Sequence, residues 1–314
     1  MLKKIVKKFQ PNPLDSLLKK VKKRKGRNIL LAWNRGLGDI ALGLYAIVER
    51  IYQFLPHAQI TFLIRPNLQE GFALFDKVNI LVAPLWERKK PYDTKKTLVE
   101  LGVDPDAFDL IIENPSPTDW VQWQKGKIVP KLRWKQAFEE FYKKFDVPQK
   151  KEYIGIQPFV ETAYGLWRNW PKRRWDELFF LLEKKDIGVF LFGFSPLPVF
   201  SSSCVIDMRG KTNLFDMLSL AKKYCSSFIL PDSGILSMIY YLDIDVSWHV
   251  LSLWADPGHG ILKQGVASPN PSLIHTPIIQ EKKDLKFLSA KEVLDKLIAR
   301  EKKDENRYSA YTLF

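Results

Sequence analysis

The chain passes from a strand into a helix within Asn28-Ile-Leu-Leu-Ala-Trp33-Asn-Arg-Gly36-Leu-Gly38-Asp39. The first residues are mostly apolar, as in a strand that is buried on both faces. Two glycines and an acid follow, and the apolar run 40–48 then predicts a covered helix. Strand, glycine turn and helix in this order indicate the first unit of an open α/β sheet, in which ligands bind at the carboxyl ends of the strands.

Asp39 stands where this turn enters the helix. The positive end of the helix dipole stabilises a carboxylate at that position, and the expected ligand crevice lies beside it. Asp39 is therefore a candidate catalytic base, able to take a proton from a hydroxyl group. The alternative is that it serves only as the N-cap of the helix, which the short Gly-Leu-Gly-Asp motif taken alone favours.

The composition is that of a folded protein long enough for two domains. The 314 residues are 46% hydrophobic and 13% aromatic, values typical of globular chains. No apolar run reaches the roughly 18 residues that span a bilayer. The two cysteines, Cys204 and Cys225, make no disulfide framework and favour a cytoplasmic protein. The histidines show no metal-ligand spacing, so we expect no metal.

The net charge of +14 is concentrated near the N-terminus. Residues 1–27 contain eleven Lys or Arg and one acid, so this segment carries +10 and the remaining chain +4. Apolar and basic residues alternate there at helical spacing, which predicts an interfacial helix on anionic lipid. A solvated basic arm is an equal alternative, and an arm that binds nucleic acid is the third.

Short β-rich runs alternate with helical patterns along the chain. Strands are expected at residues 60–64, 78–83, 108–112, 153–157, 188–192, 227–230 and 246–253. Helices are expected at residues 40–55, 67–75, 131–146, 175–185, 214–223, 233–242 and 290–300. The region 84–130 is expected to be irregular. The alternation predicts two doubly wound parallel sheets joined by the charged linker 143–152.

A second strand-to-helix turn repeats the design of the first. Phe228-Ile-Leu-Pro-Asp232-Ser233-Gly234 ends a buried strand with an acid and a small hydroxyl residue. The backbone N–H groups of Ser233 and Gly234 at the start of the next helix suit an anion. A base and a phosphate site together are what transfer from a diphosphate donor requires.

Several further motifs occur in a fixed order between residues 28 and 300. They are Leu37-Gly38-Asp39, Leu55-Pro56-His57-Ala58-Gln59-Ile60-Thr61, Ile156-Gln157-Pro158, Arg168-Asn169-Trp170-Pro171, Arg209-Gly210-Lys211-Thr212-Asn213-Leu214, Asp232-Ser233-Gly234 and Asp256-Pro257. In this order and spacing the chain resembles glycosyltransferase family 9, the ADP-heptose:lipopolysaccharide heptosyltransferases and their relatives.

The resemblance implies an α/β fold of the GT-B type, in which two Rossmann-like doubly wound domains face each other across a cleft. We therefore expect a basic tail at residues 1–27 and an acceptor-binding domain at 28–149. A nucleotide-sugar-binding domain is expected at 150–283, and a C-terminal helix and tail at 284–314.

The resemblance also implies inverting, metal-independent transfer of a sugar, with heptose and the donor ADP-heptose as the expected substrates and with no cofactor. Asp39 would act as the base, and Arg168 would neutralise the diphosphate together with Ser233 and Gly234. The donor-site loop positions implied by the motifs are Asp232, Ser237, Thr212, Asp256 and His259.

The acceptor side would use Arg35, Gly38 and Arg65, which suits an anionic, lipid-linked saccharide such as a lipopolysaccharide core. The alternative is that these arginines are only solvated surface charges. With residues 1–27 on the inner leaflet, the enzyme would be cytoplasmic and peripheral on the inner membrane. Nucleic acid is not an expected partner.

The chain also departs from the family pattern. Ser237 stands where the family has His, and Phe194-Ser-Pro-Leu-Pro198 offers no carboxylate for the ribose. Ala255 replaces a Thr, and Tyr45 replaces a Pro. These departures motivate a second hypothesis, a catalytically degenerate relative that binds sugar nucleotides or glycans. A basic nucleic-acid-binding protein ranks third.

Overall fold

The structure is a computed structural model that describes residues 12–88, 90–161 and 165–299. The chain divides into two compact units. The first comprises the residues up to Arg133 together with Gln264–Ala267, and the second comprises Trp134–Lys263 and the residues from Ser268 onward. The expected linker, 143–152, begins ten residues after this division.

The first unit contains a parallel sheet of four strands. The strands are β1 (Asn28–Trp33), β2 (Gln59–Ile64), β3 (Val78–Val82) and β4 (Leu110–Glu113), and Leu132–Arg133 is a further extended segment, β5. The helices are α1 (Pro13–Lys23), α2 (Tyr45–Phe54), α3 (Gln69–Ala73) and α4 (Thr94–Glu100). The sheet order is β3-β2-β1-β4. Because β1 is fully buried from Ile29 to Trp33, its continuous apolar sequence is the one expected of a central strand.

The helix expected at residues 40–55 is present, but it begins with a π-helical turn at Ile40–Leu44 before α2. Gly43 lies in this turn, and a Cβ at that position would collide with the backbone of Pro117. Glycine is therefore required for the helix to approach the Pro117 loop so closely.

The rest of the chain carries a parallel sheet of six strands. Its strands are β6 (Glu152–Ile156), β7 (Ile187–Leu191), β8 (Val205–Asp207), β9 (Cys225–Pro231), β11 (His249–Trp254) and β12 (Ile274–Ile279), and Leu242–Asp243 forms the short segment β10. The helices are α5 (Lys172–Glu183), α6 (Leu214–Tyr224), α7 (Gly234–Tyr240), α8 (Gly260–Gln264) and α9 (Ala290–Ile298). The order is β12-β11-β9-β6-β7-β8. Buried residues such as Trp170, Trp175 and Leu178 form its core.

The prediction of a helix at residues 131–146 is wrong. This segment forms two 3-10 turns, Gln136–Phe138 and Phe141–Lys144. The hydroxyl of Ser219 donates to the carbonyl of Glu139 and accepts from the N–H of Tyr142. These backbone groups therefore bond to a side chain of α6 rather than to a helical partner, although the aromatic spacing of the segment is helical.

Several elements were missed by the sequence patterns, and three of them show why. Helix α4 lies in the region expected to be irregular, and the side chain of Asp93 caps it by accepting from the N–H of Lys96. Strand β8 has only three residues. Strand β12 contains Pro277, which is tolerated because β12 is the edge of its sheet.

The packing of helix α1 contradicts the prediction of an interfacial helix. Its apolar residues Leu14, Leu18 and Val21 are buried, and Asp15 forms an ion pair with Arg50 of α2 at 2.6 Å. The apolar face expected to enter a membrane is thus packed inside the first unit. Residues 1–11 of the predicted tail lie outside the described residues. Within the described ranges, no helix is long and apolar enough to cross a bilayer.

Candidate functional site

Asp39 lies at the carboxyl edge of the four-stranded sheet, in the turn that follows β1. Its side chain makes no capping hydrogen bond to the helix that follows. Instead, the backbone N–H of Gly36 donates to the carboxylate. The carboxylate is therefore held within the glycine turn, and capping does not account for its presence.

Burial raises the pKa of Asp39 above the ordinary aspartate value, and this effect exceeds three that lower it. The three are the hydrogen bond from Gly36 and the positive charges of Arg35 and Arg88. A carboxylate with a raised pKa is a stronger base than an exposed aspartate. The site can thus supply a proton acceptor at the edge where α/β sheets bind ligands.

The two arginines expected on the acceptor side, Arg35 and Arg65, have different structural roles. Arg65 follows β2, is only 9% exposed, and donates through Nη2 to the carbonyl of Arg35 at 3.0 Å. It therefore supports the glycine turn. Arg35 is exposed, and its guanidinium lies 5.7 Å from the ring centre of Trp33. Gly38 directly precedes Asp39 in the chain, and its carbonyl accepts from the N–H of Leu42.

Arg88 is a residue of this edge that sequence reasoning missed. It lies in the loop after β3, close enough to Asp39 to lower its pKa. The loop is fixed in place because the buried side chain of Asn34 donates to the carbonyl of Glu87 at 2.7 Å. Its position after the third strand of the sheet was the available signal, since the ends of parallel strands share one edge.

The second unit contains an ion pair between Arg168 and Asp232. Nη2 of Arg168 donates to the backbone carbonyl of Asp232 at 2.5 Å and to its carboxylate at 2.8 Å. The side chains are 17% and 18% exposed. Burial raises the pKa of Asp232, and the charges of Arg168 and His259 act in the opposite direction. The guanidinium carries five N–H donors in all, a geometry suited to phosphate oxygens.

Ser233 and Gly234 stand at the start of α7, as predicted. The hydroxyl oxygen of Ser233 accepts from the N–H of Leu236 at 3.1 Å and so caps the helix. A hydroxyl that accepts one hydrogen bond keeps its proton for donation. The capped turn can therefore still present Ser233 to an anion.

Two of the expected donor-loop residues have side chains tied to the local backbone. Ser237 is 1% exposed, and its hydroxyl donates to the carbonyl of Ser233 at 3.2 Å. Thr212 donates to the carbonyl of Met208 at 3.3 Å. Ser237 thus packs within α7, and the structure does not bring its hydroxyl to the edge of the sheet.

The loop after β11 brings Asp256 and His259 to the Arg168–Asp232 pair. The carboxylate of Asp256 accepts from the N–H of Gly258 at 2.8 Å, which lowers its pKa, and lies 3.1 Å from Nε2 of His259. Both charges influence Asp232. Gly260 has a φ of +50°, and a Cβ there would collide with the Asp232 carboxylate. Glycine therefore permits the close packing of this loop.

Arg209 holds the loop after β7, a role that the sequence did not reveal. It is 2% exposed, pairs with Asp207 through Nε at 2.8 Å and Nη2 at 2.6 Å, and donates to the carbonyls of Pro196 and Pro198 at 3.0 Å. Phe194 on this loop is 78% exposed. The Asp-x-Arg spacing of residues 207–209 was the available signal.

The described residues contain no group of three or more His, Cys, Asp or Glu side chains that could hold a metal ion. The predicted site residues lie in two places, each within its own unit. The first supplies the carboxylate of Asp39, and the second supplies the guanidinium of Arg168 beside a helix start. The first suits proton removal and the second suits a phosphate group.

No family model matches the sequence, and no curated protein matches it significantly. Solved structures do match the fold. A family 9 glycosyl transferase of Veillonella parvula DSM 2008 shares 15% identity with a TM-score of 0.56, over 86% of this chain and 95% of that chain. The E. coli ADP-heptose LPS heptosyltransferase II also shares 15% identity and a TM-score of 0.56, over 88% and 99%.

A third similar structure is the E. coli heptosyltransferase WaaC with ADP, at 14% identity and a TM-score of 0.52, over 86% of this chain and 98% of that chain. These three structures are matched over almost their whole length. The chain therefore has the α/β fold of the glycosyltransferase family 9 structures, as its ordered motifs predict.

Proposed function

We propose that this protein is a heptosyltransferase-like glycosyltransferase that moves a sugar from a nucleoside diphosphate donor to a hydroxyl of a saccharide. The observation that carries the proposal is the Asp39 carboxylate, which follows β1, is held by Gly36 and has a raised pKa. The similarity in fold to heptosyltransferases supports it. In this proposal the two units form a GT-B arrangement.

The chemical step is a single displacement. The Asp39 carboxylate takes the proton from the acceptor hydroxyl while that oxygen forms a bond to the anomeric carbon of the donor. The bond from this carbon to the donor phosphate breaks on the opposite face, and its electron pair leaves with the nucleoside diphosphate. The anomeric configuration is therefore inverted, with protein groups alone in the acid–base role.

The leaving diphosphate gains negative charge, which Arg168 would neutralise. Asp232 fixes the guanidinium through two contacts to Nη2. Ser233 and Gly234 would add donors at the start of α7. We propose ADP-heptose as the donor and no further cofactor. The loop of Asp256 and His259 lies beside this pair and would close the donor site.

The acceptor would be an anionic saccharide linked to lipid, such as a lipopolysaccharide core, on the cytoplasmic face of the inner membrane. Arg35 and Arg88 support this choice because both place positive charge near Asp39. They would attract a phosphate or carboxylate on the acceptor to the position from which its hydroxyl reaches the base.

The test is a panel of nucleotide sugars, with binding measured by calorimetry and turnover measured by release of nucleoside diphosphate. We expect binding and acceptor-dependent turnover with at least one donor. Asp39→Asn should retain donor binding and lower turnover about 100- to 10,000-fold, the usual contribution of a general base. Asp119→Asn, at an exposed position elsewhere in the first unit, is the matched control. Full turnover in Asp39→Asn would refute the base assignment.

A second candidate function is sugar-nucleotide or glycan binding without catalysis. Ser237 favours it, because this residue stands where the resemblance implies His and its hydroxyl is buried against the backbone of α7. The apolar loop at Phe194, where the resemblance implies a ribose-binding acid, is the other supporting feature. Saturable donor binding with no turnover for any acceptor would favour this candidate.

A further inference from the structure

The loop that follows β7 presents apolar side chains to solvent. We call residues 194–199 the β7 loop. Phe194, Leu197 and Val199 are 78%, 66% and 63% exposed. Single exposed apolar residues are common on protein surfaces, but three on one loop of six residues form a patch, and such patches mark binding sites. The chemical step proposed above uses none of these side chains.

The β7 loop is held in one conformation by hydrogen bonds. The buried guanidinium of Arg209 donates through Nη2 to the carbonyls of Pro196 and Pro198, at 3.0 Å in both cases. Just before the loop, the carbonyl of Gly193 accepts from the N–H of Gly210 at 2.8 Å. The two prolines restrict the backbone further. The patch is therefore preorganised, and a ligand that binds it does not have to order the loop.

The β7 loop has few groups left for hydrogen bonds to a ligand. Its one polar side chain, Ser195, accepts from the N–H of Leu197 at 3.3 Å. The prolines have no N–H, and their carbonyls already accept from Arg209. The loop contains no acid, and the carboxylate of Asp207, on the neighbouring strand β8, is bonded to Arg209. Apolar contact is therefore the interaction that this surface offers.

The β7 loop lies at the same edge of the six-stranded sheet as the Arg168–Asp232 pair. Strands β7 and β9 are the two neighbours of β6, and all three are parallel. The loop follows β7, and Asp232 follows β9. Because neighbouring strands are about 4.8 Å apart, these two strand ends are separated by roughly 10 Å. A ribose and a diphosphate can span this separation.

A series of contacts connects the β7 loop to Arg168. Phe200, which follows the loop, stacks on Phe159, with ring centres 6.1 Å apart. The next residue, Val160, exchanges two hydrogen bonds with the side chain of Asn169, at 2.7 and 3.0 Å. Asn169 directly follows Arg168 in the chain. The apolar patch and the guanidinium therefore belong to one packed region of the second unit.

We propose that the β7 loop binds the nucleoside of the donor by apolar contact, with Phe194 stacked on the base, and that the protein binds ribose and 2′-deoxyribose nucleotides equally. This inference rests on the proposed function, in which Arg168 binds the diphosphate of the same donor. Every base has a face that stacks on an aromatic ring. The hydroxyl groups of ribose instead need hydrogen-bonding partners, and the one polar side chain of the loop is bonded within the loop.

Equal binding of the two sugars follows from the difference between polar and apolar recognition. A site whose polar groups bond to a substrate hydroxyl rejects the analogue that lacks it, because those groups then lose their partner. An apolar surface has no such groups and discriminates weakly. The inferred donors therefore include sugars activated by deoxyribonucleoside diphosphates, a wider class than ADP-heptose alone.

The experiment is calorimetric titration of the full chain with ADP, with 2′-deoxy-ADP and with inorganic pyrophosphate, which has no base. We expect the dissociation constants of the two nucleotides to agree within about threefold, whereas a lost hydrogen bond to a charged group would weaken binding about tenfold or more. Phe194→Ala should weaken both nucleotides about 10- to 100-fold, the contribution of one stacked base, and leave pyrophosphate binding unchanged. Phe194→Tyr keeps the ring and should bind as the wild type does. Phe180→Ala, at an exposed position of α5, is the control.

Binding of 2′-deoxy-ADP about tenfold or more weaker than that of ADP would overturn the inference. Unchanged nucleotide binding in Phe194→Ala would overturn it too, and so would an equal loss for pyrophosphate, which would place the effect at the phosphate site. Because Phe194 is exposed, thermal denaturation of the variants should give the wild-type Tm. Failure of the proposed function has a different signature, since none of the three probes would then bind the wild type.

Discussion

Arg168 contacts Asp232 through one nitrogen, which donates both to the backbone carbonyl and to the carboxylate of that residue. This single pair joins the segment before α5 to the turn after β9, and burial alone would raise the pKa of the carboxyl further. The cation therefore has two effects that can be measured separately. It stabilises a buried acid, and it places positive charge at the start of α7.

Removal of the Arg168 side chain should weaken both folding and donor binding. Arg168→Ala leaves a largely buried carboxylate without its cation, and we expect a loss of about 2 to 3 kcal/mol in the free energy of unfolding at neutral pH. Urea denaturation and calorimetry with a nucleoside diphosphate would measure the two effects. Lys172→Ala, which breaks the exposed pair with Asp176, is the control and should change stability by about 0.5 kcal/mol or less.

The raised pKa of Asp39 predicts how the stability of the protein depends on pH. A buried acid whose pKa is raised by folding binds more protons in the folded than in the unfolded state. Its contribution to the free energy of unfolding therefore falls as pH rises from the unfolded pKa of 3.8 through the folded pKa. Asp39→Asn removes this effect. Its stability relative to wild type should be greater at pH 7 than at pH 4, as measured by denaturation at both values. An equal difference at the two pH values would contradict the raised pKa.

Substitution of the two arginines near the glycine turn should show that Arg65 has a structural role and Arg35 a binding role. Arg65→Ala removes the hydrogen bond to the Arg35 carbonyl from a nearly buried position, and we expect a loss of about 1 to 3 kcal/mol. Arg35→Ala, at an exposed position, should change stability by less than about 0.5 kcal/mol and weaken binding of an anionic acceptor. Thermal denaturation and acceptor titration would measure the two outcomes.

Gly260 should be intolerant of a side chain, because a Cβ there would collide with the Asp232 carboxylate in addition to requiring a positive φ. Gly260→Ala should lower stability by about 2 to 4 kcal/mol and disturb donor binding. Gly102→Ala is matched in φ, at +71°, but faces open space. It should lose only about 1 kcal/mol, so equal losses in the two variants would contradict the close packing at Asp232.

Lys25 should limit stability at the end of α1. Lys25→Gly relieves the left-handed strain at φ +58°, and we expect a gain of about 1 kcal/mol in the free energy of unfolding. Lys19→Gly, in the body of the helix, should instead lose about 1 kcal/mol. Urea denaturation of both variants would show the opposite signs. A loss in Lys25→Gly would mean that the lysine side chain stabilises the turn.

The central strands were predictable because their apolar runs are continuous. β1 and β9 are buried along most of their length, and the acids that follow them, Asp39 and Asp232, are local signals. The strand order of either sheet required the structure. Strand β8 was missed because three residues are too few to show an alternating pattern. Edge strand β12 was missed because it contains a proline, which argues against a strand.

The remaining errors arose where tertiary contacts override local pattern. The segment 131–146 has helical spacing, but the backbone groups of Glu139 and Tyr142 form hydrogen bonds with the hydroxyl of Ser219 instead of with partners in a helical turn. Helix α1 was amphipathic as predicted, yet the sequence could not show whether its apolar face meets lipid or protein. Arg88 and Arg209 were missed because their partners, Asp39 and the carbonyls at 196 and 198, come from other loops or turns.

The contact between Gly43 and Pro117 restricts how the residues that carry the base can move. The turn of Asp39 leads directly into the π-helical segment at Ile40–Leu44. Because residue 43 has no side chain, this segment packs directly against the backbone of the loop after β4. That loop also accepts the hydrogen bond of Asn12 at Trp120. A displacement of the Asp39 turn would therefore disturb the packing against Pro117, in a loop that is itself hydrogen-bonded to the residue that caps α1.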